Sequence, residues 1–297
     1  MRKEPITRKI RKRISNIQQR DGLVRNLVGD ALGFVGRNSG GPSGGRIAML
    51  HIGRCGSTVL GNMLDEETDL LWDSEALHPR VARARDLPAV RARERFDEHT
   101  FNREIRRRFI HAGKRRYGFE LKTEHLELYG LTDPKEARAV LEGLGFGVFI
   151  SLGRTNVVRQ LVSSIRGRQV GNFHINATDR KGLKMVPVDC DLAGFRLDKV
   201  DPVMSLEEQL ATRQEWMEWN REVVGEDGLH LDFEKHVMQD PSVGYRMICE
   251  HIGIKPQELE PSLRRTNPES VDHLLADPKA WRDRLKGTRF EWMMDAD

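Results

Sequence analysis

The residues most suited to chemistry lie in one segment, RIAMLHIGRCGSTVL, at positions 46–60. An apolar run leads there into a turn with two glycines and Arg54, and two hydroxyl residues then open a stretch with helical spacing. Such a strand, turn and helix start direct backbone N–H groups at one point, which suits phosphate or sulfate. A nucleotide-triphosphate loop needs lysine after its second glycine, whereas Ser57 follows Gly56 here. The segment predicts an anion site of another kind, with an ordinary strand–helix turn as the alternative.

A second segment adds a cation at a strand end. Residues 146–152 form a short apolar run typical of a buried strand, and Arg154 follows directly before a helical pattern. Arginine suits phosphate because its planar guanidinium can donate two parallel hydrogen bonds. The segment is therefore a second candidate for binding an anion.

Both segments resemble those of a known enzyme family. A basic residue, a small residue, glycine and two hydroxyl residues, in this order, resemble the 5′-phosphosulfate loop of sulfotransferases that use 3′-phosphoadenosine 5′-phosphosulfate (PAPS). The pattern from Arg154 to Ser163 resembles their 3′-phosphate site, in which an arginine and a serine bind the phosphate; Ser164 is the alternative serine. Residues 229–253 and 265–293 resemble the late strand, helix and C-terminal tail of bacterial carbohydrate sulfotransferases.

This resemblance covers residues 46–293 and implies an activity. The activity is in-line transfer of a sulfuryl group from PAPS to a hydroxyl of a carbohydrate or glycolipid, with a carboxylate general base and no metal ion. Arg54 would neutralise the leaving phosphate, and Arg154 would select a nucleotide with a 3′-phosphate. The donor-binding residues implied by the resemblance are Gly53, Arg54, Cys55, Gly56, Ser57, Thr58, Arg154, Ser163, Lys286 and Gly287.

The general base is expected at Glu75, after the first predicted helix. Its segment resembles the Gly-Glu-x-Phe segment of bacterial glycolipid and nodulation-factor-type enzymes, although Ser74 replaces the glycine. His78, Glu120 and Glu124 are the open alternatives. A carboxylate that serves as the base here would need burial or anionic neighbours to raise its pKa toward neutrality, because a general base works best with a pKa near the operating pH.

The chain alternates predicted strands and helices, which predicts an α/β fold. We expect a P-loop-like central parallel sheet flanked by helices, with ligands at the carboxyl ends of the strands. Lys122 ends one strand and is expected to contact the sulfate or the acceptor, although a strand-end lysine needs no function. The strands are predicted at residues 46–52, 117–122, 146–152 and 229–233.

Three later helices carry start and stop signals. Asp133 and Asp240 each precede a proline, and both helices end before a glycine. Ser205 and Glu208 predict a capping box. Weak periodicity in residues 171–203 predicts a long loop.

Charge divides the chain into regions. The net charge is +4, but residues 1–39 contain ten lysines and arginines against three acids. Isoleucines at near-helical spacing predict a basic amphipathic helix over residues 5–19, which could contact a membrane surface, its own domain or a partner. A second basic region spans residues 80–116, so an anionic acceptor or a membrane is favoured. The predicted domains are a basic helical arm at 1–38, a Gly/Ser/Pro linker at 39–45 and a catalytic domain at 46–297.

Composition excludes several classes of protein. No apolar run reaches the roughly 18 residues of a membrane-spanning helix. The basic N-terminus lacks the apolar core of a signal peptide, and three scattered cysteines do not form a disulfide framework, so a cytoplasmic location is predicted. The alternatives to a sulfotransferase are a P-loop kinase or NTPase and a basic membrane-binding or polyanion-binding protein. Nucleic acid is not expected as a partner because no binding motif is present. The oligomeric state stays open.

Overall fold

The structure is a computed structural model that describes residues 45–78, 96–109, 112–113, 115–171, 175–176, 186–197, 201–264 and 267–296. The predicted arm, its amphipathic helix over residues 5–19 and almost all of the linker lie outside these residues, as does much of the second basic region.

The strands of the described residues are β1 Arg46–His51, β2 Leu70–Trp72, β3 Arg116–Lys122, β4 Phe146–Gly153, β5 Ile175–Asn176, β6 Leu229–Asp232 and β7 Leu263–Arg264. The centre of the fold is a five-stranded parallel sheet with the strand order β2-β3-β1-β4-β6. A separate antiparallel pair joins β5 and β7. The predicted α/β fold with a central parallel sheet is therefore confirmed.

Helices connect and cover the strands. They are α1 Ser57–Leu64, α2 Glu98–Phe109, α3 Thr123–Leu128, α4 Pro134–Gly143, α5 Val157–Val170, α6 Leu206–Val224, α7 Phe233–His236, α8 Pro241–Ile252, α9 Val271–Leu274, α10 Pro278–Leu285 and a 3₁₀ helix at Glu291–Met294. Within the described ranges, no helix combines the length and the apolar character needed to cross a membrane.

The alternation of side chains along the strands separates two cores. In β3, Phe119 and Leu121 pack into a core that includes α2 and α4, whereas Glu120 and Lys122 point toward the opposite face. That opposite face packs against α1 and α8. A third apolar cluster joins α5 to α9, α10 and the 3₁₀ helix. The helix that follows Arg154 is thus packed against the C-terminal part of the described chain.

The predicted helix signals are confirmed. The carboxylates of Asp133 and Asp240 accept backbone N–H bonds at the starts of α4 and α8. Ser205 and Glu208 form both bonds of the capping box. Strand β2 was not predicted, because its three residues are too short for a periodic pattern.

Candidate active site

Three strands end at one edge of the sheet and bring the candidate residues together. His51 at the end of β1 pairs in register with Lys122 of β3 and with Leu152 of β4. The loop after β1, Lys122 itself and Arg154 after β4 therefore lie at the carboxyl edge, where ligands bind in open α/β sheets.

The loop after β1 has a backbone that suits an anion. Gly53, Arg54 and Gly56 all have left-handed φ values, of 76°, 55° and 85°. A Cβ on Gly56 would lie 2.6 Å from Cγ1 of Val237, so this position requires glycine for both its conformation and its packing. Helix α1 begins at Ser57, and its first N–H groups have no acceptor within the helix. The loop and the helix start therefore offer backbone donors together.

Direct hydrogen bonds connect the loop to the second candidate segment. Nε of Arg54 donates to Oγ of Ser163 at 3.0 Å, and Nη1 of Arg154 donates to the carbonyl oxygen of Arg54 at 2.7 Å. Ser164 instead donates to the carbonyl oxygen of Gln160 within its own helix, at 3.0 Å. Of the two candidate serines, Ser163 is thus the one whose hydroxyl contacts the loop.

The two arginines at this junction are desolvated. Burial lowers the pKa of Arg54 to about 10 and that of Arg154 to about 9. Glu234 lies 3.7 Å from Nε of Arg154, and the Arg154 guanidinium stacks over the ring of Phe233. A buried guanidinium with one distant carboxylate is stabilised further when an anionic group binds beside it.

Glu75 forms an ion pair at the same edge. Its Oε2 lies 2.8 Å from Nζ of Lys122, which also lies close to Gly53. Burial alone would raise the pKa of Glu75, but Lys122, together with His51 and His125, outweighs burial and lowers it to about 2. Glu75 in this ion pair therefore does not have the raised pKa that a general base would need, and the sequence did not show that Lys122 contacts this carboxylate.

The three alternatives for the base differ in their surroundings. His78 is exposed, with Nδ1 3.5 Å from Oε2 of Glu75. Glu120 is almost fully buried, and its carboxylate contacts Trp72 and lies beside His51, below the loop. Glu124 is half-buried on α3. Glu75 is the carboxylate that combines partial exposure with a position beside Lys122 and the loop.

Residues that the sequence did not single out hold the turn around Glu75. Arg108 of α2 donates two hydrogen bonds to the Asp73 carboxylate, at 3.1 and 2.9 Å, and the Tyr117 hydroxyl donates to it at 2.8 Å. Ser74 has φ 43°, a left-handed value that glycine adopts more readily. Ser74 therefore has the conformation expected of the glycine that it replaces.

The C-terminal residues bind to α5. The Asn156 side chain caps this helix and donates to the carbonyl oxygens of Met293 and Ala296, at 2.8 and 3.0 Å. Lys286 and Gly287 lie exposed after α10, where the Gly287 N–H donates to Glu291 at 2.8 Å. Their predicted contact with the donor stays a prediction.

Among the described residues, two groups of side chains have the residue types of a metal site. One consists of Glu75, His78 and His125, the other of His51, Glu75 and Glu120, and in each the potential ligand atoms lie within 4.8 Å of one another. Both groups share Glu75, whose oxygen contacts the Lys122 ammonium. A metal ion would have to displace this cation.

Comparison with known proteins identifies the family. The family described as Stf0 sulphotransferase matches residues 48–286. The fold is also similar to the crystal structure of a sulfotransferase from Alicyclobacillus acidocaldarius, with 14% identity, a TM-score of 0.42, and coverage of 85% of this chain and 96% of that chain. No curated protein matches the sequence. The family match spans the loop, Glu75, Lys122 and Arg154, and this chain therefore belongs to the Stf0 sulphotransferase family.

Proposed function

We propose that this protein transfers a sulfuryl group from PAPS to a hydroxyl of a carbohydrate or glycolipid acceptor. One observation carries the proposal. Arg54 and Arg154, which are a hundred positions apart in the chain, meet through a 2.7 Å hydrogen bond, and Arg54 also contacts Ser163. The loop proposed for the 5′-phosphosulfate and the pair proposed for the 3′-phosphate are therefore neighbours, which supports a donor with phosphates at both positions.

The residues at this edge fit such a nucleotide. The left-handed glycines open the backbone of the loop, and the start of α1 supplies N–H groups for the sulfate and 5′-phosphate. Arg54 and Arg154 supply positive charge. Both guanidinium groups are already buried away from water, so the binding of an anion does not have to desolvate them. Ser57 and Thr58 stand at the first positions of the helix, where their hydroxyls would add donors.

Glu75 and Lys122 would act on the transferring group and the acceptor. PAPS supplies an activated sulfuryl group; the acceptor oxygen forms the new bond to sulfur while the bond to the 5′-phosphate oxygen breaks. Glu75 would take the acceptor proton, and Lys122 would stabilise negative charge on the sulfuryl oxygens. A Lys122 ammonium that turns from Glu75 toward the sulfuryl group would also leave the carboxylate more basic than it is in the ion pair.

For the acceptor, only its chemical class is proposed. The basic composition of residues 1–39 and 80–116 favours an anionic acceptor or one presented at a membrane surface. Contact of residues 5–19 with the cytoplasmic face of a membrane is part of the same proposal.

Calorimetric titration with 3′-phosphoadenosine 5′-phosphate, the spent donor, tests the proposal. We expect this nucleotide to bind, and AMP, ADP and ATP–Mg²⁺ to bind at least about tenfold more weakly. These nucleotides lack the 3′-phosphate and so lose the proposed hydrogen bonds from Arg154 and Ser163. Arg154→Ala should abolish the preference. Arg246→Ala is the matched control, since it removes an exposed arginine of α8.

The outcomes are distinct. Preference for the 3′-phosphorylated nucleotide that is lost in Arg154→Ala and kept in Arg246→Ala supports the donor site. Binding of ATP–Mg²⁺ instead, or of none of these nucleotides, would refute the proposed donor.

A further inference from the structure

A buried group of polar side chains lies directly beneath the donor loop and takes no part in the proposed reaction. His51, Glu120 and Trp72 are 0, 1 and 4% exposed, and they come from β1, β3 and β2. Polar groups at this depth cost stability unless they are paired. Their contacts therefore need an account.

The donors and acceptors in this group fix its protonation. Nε1 of Trp72 donates to Oε1 of Glu120 at 2.9 Å. Nε2 of His51 lies 3.3 Å from Oε2 of Glu120, a charge contact that lacks the geometry of a hydrogen bond. On the other side of the ring, the Gly53 N–H donates to Nδ1 of His51 at 3.0 Å. A nitrogen that accepts this bond carries no proton, so the proton of a neutral imidazole lies on Nε2, facing the carboxylate.

The bond from Gly53 also decides the charge of the ring. Burial lowers the pKa of His51, whereas the neighbouring Cys55 and Glu120 raise it. A charged ring, however, would carry its second proton on Nδ1, directly opposite the Gly53 N–H. The geometry of this bond therefore favours the neutral ring over the charged one.

This arrangement holds the first peptide of the loop from one side, and α5 holds the loop from the other. Nε2 of Gln160 donates to the carbonyl oxygens of Ile52 and Gly53, at 3.1 and 3.0 Å. The Gly53 N–H and C=O are thus both bonded to buried side chains. The group also touches α1, because a Cβ on Gly61 would lie 2.5 Å from Oε1 of Glu120.

We propose that His51 and Glu120 are positioning residues for the donor loop: Glu120 keeps the imidazole proton on Nε2, and Nδ1 then fixes the Gly53 N–H. The inference rests on the proposed function only in that the loop binds the donor. It assigns Glu120, one of the alternatives for the general base, to a role through His51.

Glu120→Gln tests the direction of these bonds. Trp72 faces Oε1 of Glu120 and His51 faces Oε2, so the one carbonyl oxygen of the amide can lie toward only one of them. When it stays with the Trp72 N–H, an amide N–H faces Nε2 and drives the imidazole proton to Nδ1. Nδ1 then no longer accepts from Gly53. We expect the Kd for 3′-phosphoadenosine 5′-phosphate to rise about tenfold, as for loss of one buried hydrogen bond. Trp72→Phe, the matched control, removes a donor to the same carboxylate without moving the proton and should change this Kd less than about twofold.

Rescue at His51 separates positioning from packing. Asn has an oxygen bonded to Cγ, as His has Nδ1, and can accept the Gly53 N–H, whereas Leu fills space without an acceptor. His51→Asn should bind the nucleotide more tightly than His51→Leu, by about tenfold. Equal losses in these two variants, or equal losses in Glu120→Gln and Trp72→Phe, would show a structural role only and overturn the proposal.

Nitrogen-15 NMR of the imidazole reads the assignment without any nucleotide. The proton is expected on Nε2 in the wild-type protein and on Nδ1 in Glu120→Gln. A wild-type ring protonated on Nδ1, or on both nitrogens, would refute the inference. This result does not depend on the donor, so failure of the protein to bind the nucleotide would refute the proposed function alone.

Discussion

The two halves of the candidate site are built in different ways. In the half proposed to bind the sulfuryl donor (the donor half), the Gly53 N–H and C=O are hydrogen-bonded to the buried side chains of His51 and Gln160. In the half proposed to act on the acceptor (the acceptor half), two carboxylates form ion pairs with partly exposed cations. Glu75 pairs with Lys122, and the neighbouring Asp73 pairs with Arg108. Buried neutral bonds fix a backbone, whereas ion pairs at an open edge can exchange partners. In the proposed reaction, the buried bonds of the donor half would keep the loop fixed, and the ion pairs of the acceptor half would allow a change of charge.

The largest expected effect separates the halves by activity. Glu75→Gln should lower sulfuryl transfer by about 10²–10⁴-fold, the contribution typical of a general base, while nucleotide binding stays within about threefold. Transfer of labelled sulfuryl from PAPS to a panel of sugars and glycolipids measures the first quantity, and calorimetry the second. Glu124→Gln is the matched control. Transfer that survives in Glu75→Gln and is lost in Glu124→Gln would show that Glu124 on α3, and not Glu75, is the general base.

The next effect probes the rigidity of the donor half. Gly56→Ala places a Cβ 2.6 Å from Val237 at a left-handed φ, so it should destabilise the protein by about 1–3 kcal/mol and weaken nucleotide binding. Gly253→Ala provides the control, because Gly253 has a similar φ of 73° but its Cβ would meet no residue beyond its own chain neighbours within 4 Å. Thermal unfolding of both variants separates the steric clash from the backbone cost. Equal destabilisation would mean that contact with Val237 is unimportant.

The same contrast explains what the sequence could predict. The donor loop is one contiguous segment, and the spacing of Arg154 and Ser163 follows from one strand and one helix. The surroundings of Glu75 come from separate elements, since Lys122 lies on β3 and Arg108 on α2. Nothing local to residue 75 therefore indicates that its pKa is lowered.

One member of the buried polar group beneath the loop, Glu120, could have been recognised from the sequence. Glu120 interrupts an apolar strand, and an ionisable residue at such a position needs a buried partner. The sequence does not identify this partner, because His51 becomes its neighbour only through the register of β1 and β3. The strands β1, β3, β4 and β6 and the capped helices were predictable, whereas the short strands, the sheet order and the cross-strand pairs depend on tertiary packing.

The acceptor half should also have its own pH dependence. Because the pKa of Glu75 is lowered to about 2, its ion pair stabilises the fold above the pKa of the unfolded chain, near 4.5. The contribution should be lost as the pH falls from about 4.5 toward 2, and it has an upper limit of about 3 kcal/mol. Urea unfolding of wild type and Glu75→Gln at pH 6 and pH 3 measures it. A difference between the two proteins that does not shrink at pH 3 would contradict the ion pair with Lys122.

The smallest effect tests whether the strain at Ser74 serves the acceptor half. A non-glycine residue such as Ser74 at left-handed φ destabilises the folded protein by about 1–2 kcal/mol. Glycine avoids this strain, but the greater freedom of the unfolded chain offsets roughly 0.5–1 kcal/mol of the gain. Ser74→Gly should therefore stabilise the protein by at most about 1 kcal/mol, and raise Tm by about 2–4 °C, whereas Ser74→Ala should not. Transfer activity should be kept in both variants, because Arg108 and Tyr117 still hold Asp73. A stabilised Ser74→Gly protein with reduced activity would show that the strained turn itself places Glu75.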